Sequence, residues 1–348
     1  MNNRLDWSKL TFSYTKTNTI LYTRFADGKW SEIESRTDDN LTISAFAGAL
    51  HYSVECFEGL KAFRGKDGKV RIFRPEENAK RLQRSAKYLG IEAPSTEMFI
   101  GMCERIVREN IDFLPPYGSR ASLYIRPTLI GTNPQLGVQS SKESTFLVMC
   151  SPVGAYTGGT LEAIDAVIAR NYDRAAPDGC GAYKVGGNYA ASLASLNKAH
   201  ELGFKAVLYL NPATKEYIDE FNSSNFFAIR GNSYITPKSD SILPSITNMS
   251  LETAAAELGM TVERRPVPTS ELGTFDEVGE CGTAVVITPV HRLVDKPSLE
   301  SADQTEYVYG DGLCGPKSLA LYNYITSIQY GDIPDKFGWT VEVETGDR

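Results

Sequence analysis

The sequence predicts two mixed domains, a smaller α+β domain followed by a larger α/β domain. Three observations carry this expectation. The chain has 348 residues, roughly two domains at about 150 residues each. Its first half pairs hairpin signals with two consecutive helices, and its second half alternates strands with helices. Between them lies Ser151-Pro-Val-Gly-Ala-Tyr-Thr-Gly-Gly159, a Gly- and Pro-rich stretch of linker character. The domains are therefore expected at 1–152 and 161–348, joined by 153–160.

Ile20–Phe25 reads as a strand. Leu60–Arg64 and Val70–Phe73 flank Gly65-Lys-Asp-Gly68, a hairpin signature. A helix starts at Pro75, a favoured first-turn residue, and Glu76 and Glu77 complement its dipole. Its apolar positions Ala79, Leu82, Ala86 and Leu89 recur at helical spacing, and Gly90 stops it. Asn78, Arg81, Ser85 and Tyr88 form the less apolar stripe, which by periodicity alone is a solvated face. A second helix follows Ser95, with Phe99, Met102, Cys103, Ile106 and Val107 on one stripe. Ser122–Ile130 and Thr145–Cys150 are short buried strands. In the second half, strands at Ile164–Ala169, Ala206–Leu210, Phe226–Ile229 and Ala284–Ile287 alternate with helices near 188–202, 245–258 and 316–329.

Composition removes several function classes. The net charge of −7 argues against a nucleic-acid or anionic-membrane surface, which needs a basic face. The longest uncharged stretch, Ser144 to Leu161, is broken by proline and glycine and is no membrane span. The six cysteines form no C-x-x-C, which points to a reduced, cytoplasmic protein rather than a zinc ribbon or disulfide scaffold. With three histidines a metal site is not expected. No G-x-S-x-G, P-loop or dinucleotide fingerprint occurs.

One lysine stands out. In Gly179-Cys-Gly-Ala-Tyr-Lys184-Val-Gly-Gly-Asn-Tyr189, Lys184 is the only charged residue from 179 to 197. A lysine in a glycine loop is ordinarily solvated. Here the glycines allow a backbone to approach a ligand closely, and small or apolar neighbours favour the neutral, nucleophilic amine that Schiff-base chemistry needs.

The segment resembles the lysine loop of the branched-chain aminotransferases, which are fold type IV pyridoxal-phosphate enzymes. Tyr52-Ser-Val-Glu-Cys-Phe-Glu-Gly-Leu-Lys-Ala-Phe-Arg64, Leu123-Tyr-Ile-Arg-Pro-Thr128, Leu136-Gly-Val138, Ser151-Pro-Val-Gly154 and Ile328-Gln-Tyr-Gly331 also resemble family segments, in order. The resemblance spans about residues 20 to 345. It implies the fold of the D-amino-acid aminotransferase-like enzymes, with pyridoxal 5'-phosphate as cofactor.

It also implies roles. Lys184 would hold the cofactor covalently and, once displaced, carry the proton between the substrate's Cα and the cofactor. Glu220 would pair with the pyridine nitrogen and keep it protonated. Arg81 would bind the phosphate, together with the amides of Ile246 and Thr247 at a helix start and the hydroxyl of Thr283. Tyr189 would hydrogen-bond the phenolic oxygen. Tyr52, Phe57, Tyr124, Tyr156 and Ser223 would line the substrate pocket. Tyr124 and the amides of Thr283 and Ala284 would receive the α-carboxylate, and Arg126 the carboxylate end of glutamate.

The activity so implied is ping-pong transamination between Leu, Ile or Val and 2-oxoglutarate by a homodimer whose pocket is shared between subunits. A D-amino-acid transaminase, an aminodeoxychorismate lyase and a catalytically silent cofactor-binding protein are the alternatives. One departure concerns regulation. Mammalian members carry a C-x-x-C pair where this chain has Val285 and Thr288, so thiol regulation of that kind should be missing.

Overall fold

Helix boundaries follow the local signals closely. The structure, a computed structural model, describes residues 5–154 and 161–345, so Tyr156 and residues 155–160 of the expected linker lie outside the described residues. Its helices are α1 (Gly48–Tyr52), α2 (Pro75–Leu89), α3 (Thr96–Glu109), α4 (Gly186–Glu201), α5 (Ile246–Glu257) and α6 (Pro316–Tyr330). α2 has its proline in the first turn and closes on Gly90 at φ +67°, a left-handed position that suits glycine. Ser95 caps α3 by accepting the Met98 N–H, and the expected stripe Phe99, Met102, Cys103, Ile106 and Val107 is buried. No described helix is long and apolar enough to cross a membrane.

The other stripe of α2 departs from expectation. Asn78, Arg81 and Ser85 are buried, not solvated, and only Tyr88 at the helix end is exposed. Periodicity misreads this face because it is covered by polar partners, described below, rather than by an apolar layer.

The chain divides into two compact units. The first comprises Met1–Gly159, Tyr183–Gly186 and Ser327–Arg348, and the second Thr160–Ala182 and Gly187–Thr326. The division is thus not a single crossing. The chain returns to the first unit for the four residues around Lys184 and again at its C-terminal end.

The first unit holds a fully antiparallel sheet. Its strands run in the order Thr340–Val343, Val70–Phe73, Leu60–Arg64, Ser122–Gly131, Ser144–Val153, Ile20–Ala26 and Lys29–Trp30, with Glu34–Arg36 on Ile20–Ala26 and Glu55–Phe57 on Ser122–Gly131. The C-terminal strand returns because Thr340–Val343 pairs with Val70–Phe73.

The second unit's sheet is mixed rather than the parallel one that alternation suggests. Ile164–Ala169 lies parallel to both Ala206–Leu210 and Val286–Lys296, while Glu277–Gly282 is antiparallel to Val286–Lys296. Ile218–Phe221 pairs on one side with Ala206–Leu210 and on the other with Asn225–Arg230. These pairings close a ring of strands, and the Glu220–Asn225 register pair makes the closure. Phe221 and Phe226 belong to the apolar core with Ile168, Leu208 and Leu293. Their neighbours Glu220 and Asn225 therefore face the other side of the strands.

The expected strand Ala284–Ile287 is corrected. Residues 283–285 form a turn, and the strand begins only at Val286. Val286 has φ +61°, a genuine outlier for a β-branched residue and a form of strain found at functional sites. The apolar run across this turn hid it from pattern reading.

Candidate functional site

Lys184 belongs to the first unit, and that unit fixes its backbone on both sides. Its N–H donates to Ser85 Oγ at 2.9 Å, and its carbonyl accepts the Phe57 N–H at 3.1 Å. Val185 bridges to Cys56. The half-buried amine stands 4.8 Å from the centre of the Phe57 ring. A Cβ at Gly186 would overlap Glu55 Oε1, and one at Gly181 would overlap the Ser241 carbonyl. These two loop glycines therefore serve close approach to protein groups, not to a ligand. Burial raises the Glu55 carboxyl above its usual range, and Arg126 opposes the shift.

Arg81 lies one helical turn from Ser85, and its partner was invisible in the sequence. Arg81 Nε donates to Glu58 Oε1 and Nη2 to Oε2, each at 2.7 Å, a bidentate pair that fixes the guanidinium plane. Asn78 Nδ2 adds a bond to Glu58 Oε2 at 2.7 Å. Glu58 is fully buried, and breaking such a pair from one side typically costs about 3–5 kcal/mol. Glu58 engages two of the five guanidinium donors.

Tyr124 and Arg126 meet as expected for one strand face, Arg126 Nη2 donating to Tyr124 Oη at 3.1 Å. The Arg126 guanidinium also sits 4.9 Å from the Phe57 ring centre, and its buried Nε has no hydrogen-bond partner. A buried orphan donor on a cation suits a carboxylate ligand. Any side chain at Gly59 would overlap Tyr124 Oη, which explains the glycine of Phe57-Glu-Gly59. Phe12 packs edge-on against Tyr124 at 4.9 Å, a neighbour that sequence reading missed for want of any signal in its segment. Tyr52 is placed differently from a buried pocket wall. It is exposed, and its hydroxyl donates to the Leu136 carbonyl at 2.5 Å.

In the second unit Glu220 is buried and forms an ion pair with Arg174 at 2.6 Å. It also accepts the Leu243 N–H at 2.9 Å. Arg174, likewise missed, further donates to the carbonyls of Gly181 at 2.9 Å and Ser241 at 2.6 Å. Asn225 Nδ2 donates to the Leu243 carbonyl at 3.1 Å, so Leu243 is bracketed from both strands of the ring closure. Two residues on, Ser245 caps α5 by accepting the Asn248 N–H. Ile246 and Thr247 thereby open the helix, where first-turn amides lack intrahelical partners and attract anions. Thr283 and Ala284 occupy the strained turn before Val286. Ser223 is exposed in the turn before Asn225, and Tyr189 lies in the first turn of α4.

All six cysteines are unpaired thiols. Burial raises the Cys281 thiol far above its usual range and pushes that of Cys314 up to about 11, which suppresses the reactive thiolate. Mild peroxide followed by reductant is therefore expected to leave activity unchanged. A large, reductant-reversible loss in that assay would show that two thiols approach each other after all.

The donor set suits a phosphorylated aldehyde on a pyridine ring. It offers an amine, a fixed guanidinium, helix-start amides and a buried carboxylate. The family model described as Amino-transferase class IV matches residues 55–293. Branched-chain-amino-acid aminotransferase from Haemophilus influenzae is 46% identical over 347 residues, covering 98% of this chain and 99% of that protein. Its counterpart from Helicobacter pylori is 42% identical, covering 97% and 98%. Among solved structures, Escherichia coli branched-chain amino acid aminotransferase aligns with a TM-score of 0.76 at 28% identity, over 94% of this chain and 100% of that one. A second bacterial-type structure, the T.th. branched-chain amino acid aminotransferase solved with pyridoxamine 5'-phosphate, aligns with a TM-score of 0.78 at 26% identity, over 95% and 100%.

Proposed function

The chain belongs to the class IV aminotransferases, and from that premise we propose a branched-chain-amino-acid transaminase that moves amino groups between L-leucine, L-isoleucine or L-valine and 2-oxoglutarate. The observation that carries this is the near full-length likeness to proteins of that name at up to 46% identity. Bound pyridoxal 5'-phosphate supplies the aldehyde and the electron-withdrawing ring that stabilises negative charge at the substrate's Cα.

The chain's own residues do the rest. Lys184 Nζ anchors the cofactor and then takes the proton from Cα. Arg81, held in plane by Glu58, the first-turn amides of Ile246 and Thr247, and the Thr283 hydroxyl bind the phosphate. Tyr189 binds the phenolic oxygen. Glu220, oriented by Arg174, holds the ring nitrogen. Tyr124 and the amides of Thr283 and Ala284 receive the α-carboxylate, and Arg126, through its orphan Nε, the distal carboxylate of glutamate. Phe57, Tyr52, Tyr156 and Ser223 complete the pocket.

The working assembly is a homodimer in the cytoplasm. Support for the dimer comes from side chains of the first unit left in water: Phe46, Leu50, Leu136 and Val138 are 53%, 62%, 76% and 82% exposed. They are linked through the Gln135 N–H to Phe46 carbonyl bond and the Tyr52 hydroxyl on Leu136. An exposed apolar group of this kind marks an interface. The reduced thiols favour the cytoplasm.

One assay tests the function. L-leucine, L-isoleucine, L-valine and D-alanine are each offered with 2-oxoglutarate. Glutamate should form from the three L-amino acids alone. Turnover of D-alanine only would favour a D-amino-acid transaminase, and no turnover with bound cofactor a silent protein.

A further inference from the structure

We infer that Ser85 is a positioning residue for the reaction, and that α2 acts as a ruler setting Lys184 against Arg81. The proposal takes Lys184 as the cofactor's anchor and Arg81 as its phosphate ligand, as proposed above. In the cofactor the phosphate and the reactive carbon are held apart by covalent bonds, so the two groups that grip them must keep a fixed separation. A loop lysine cannot keep one unaided. Lys184 precedes α4, and its segment Tyr183–Gly186 is the short stretch in which the chain re-enters the first unit.

Helix α2 holds that segment at successive turns of one face. Arg81 is fixed by the buried Glu58. One turn on, the fully buried Ser85 accepts the Lys184 N–H at 2.9 Å. Tyr88, at the helix end, stacks on Tyr183 with ring centres 4.1 Å apart, and Arg84 lies 5.7 Å over the same Tyr183 ring. Arginine and lysine segment are therefore referenced to a single rigid helix, on which residues four apart are neighbours at a set rise. Ser85 is the member of this set that touches the lysine residue itself. Its hydroxyl acts on the backbone and leaves the amine's chemistry to Lys184. Removing it leaves a donor with no acceptor at a fully buried position, and the segment would shift to recover one.

The test uses the loaded protein and two variants, Ser85→Ala, which removes the acceptor, and Ser85→Cys, which keeps the size but accepts weakly. Three readouts are taken: the dissociation constant of pyridoxal phosphate from titration of the apo-protein, the pH titration of the bound cofactor's visible band, and kcat and KM for L-leucine. We expect Ser85→Ala to raise the dissociation constant and lower kcat, each by about tenfold, the equivalent of one lost buried hydrogen bond. KM for L-leucine should stay within about twofold, the visible band should titrate at a shifted pH, and Ser85→Cys should fall between. If Ser85→Ala does not fold, Ser85→Cys carries the same test against wild type. Wild-type values of all three readouts in the variants would overturn the proposal. Borohydride reduction of the wild-type holoprotein with peptide mapping is the control: cofactor trapped on another lysine would refute the anchoring role of Lys184, whereas trapping on Lys184 with unaltered Ser85 variants would refute the ruler alone.

Discussion

Lys184→Ala is expected to remove the visible absorption of the bound cofactor and to lower turnover by several orders of magnitude. The loss should exceed the ~10²–10⁴ typical of a single acid–base group, because the covalent anchor disappears with the proton carrier. Folding should survive. The backbone of the segment is held by the Ser85, Phe57 and Cys56 contacts, none of which uses the lysine amine. Added pyridoxal phosphate should still associate reversibly, since Arg81 and the α5 amides are untouched. Single-turnover and steady-state rates with L-leucine measure the effect, and turnover near the wild-type rate would remove Lys184 from the chemistry.

Glu220→Gln separates charge from shape. The amide keeps the outline of the side chain and an oxygen for the Leu243 N–H, but it gives up the negative charge. With the ring nitrogen no longer held protonated, proton transfer at Cα should slow by about 10²-fold or more, since each pKa unit of lost stabilisation is ~1.4 kcal/mol. The structure adds a second consequence that the sequence did not contain. Arg174 loses its counter-charge at a site where both partners are at most 9% exposed, so the thermal midpoint should also fall. Cofactor should remain bound through Lys184. Unchanged single-turnover rates with cofactor retained would show that Glu220 does not face the ring. Loss of cofactor from a folded protein would make it an anchor instead.

The two substitutions differ in what a sequence could reveal about them. Lys184 was legible because it is the lone charge in a run of small residues, and that anomaly survives without neighbours in space. The helices were legible for a similar reason. Proline at the start of α2, glycine at its end and serine before α3 act through bonds within a few residues.

The ring closure at Glu220–Asn225, the turn at 283–285 and the return of Thr340–Val343 to the first sheet were decided only in three dimensions. Each depends on pairing between segments that apolar alternation leaves without a register. The polar pairs behave alike. Arg81 looked solvated because its helix face is hydrophilic, yet it is buried against Glu58. Glu220 looked like one acid among 43 until Arg174 arrived beside it. Composition along the chain determined which residues could carry the chemistry. Tertiary structure decided which partner each received, because an ion pair or a buried acceptor is a property of two distant segments and neither encodes the other locally.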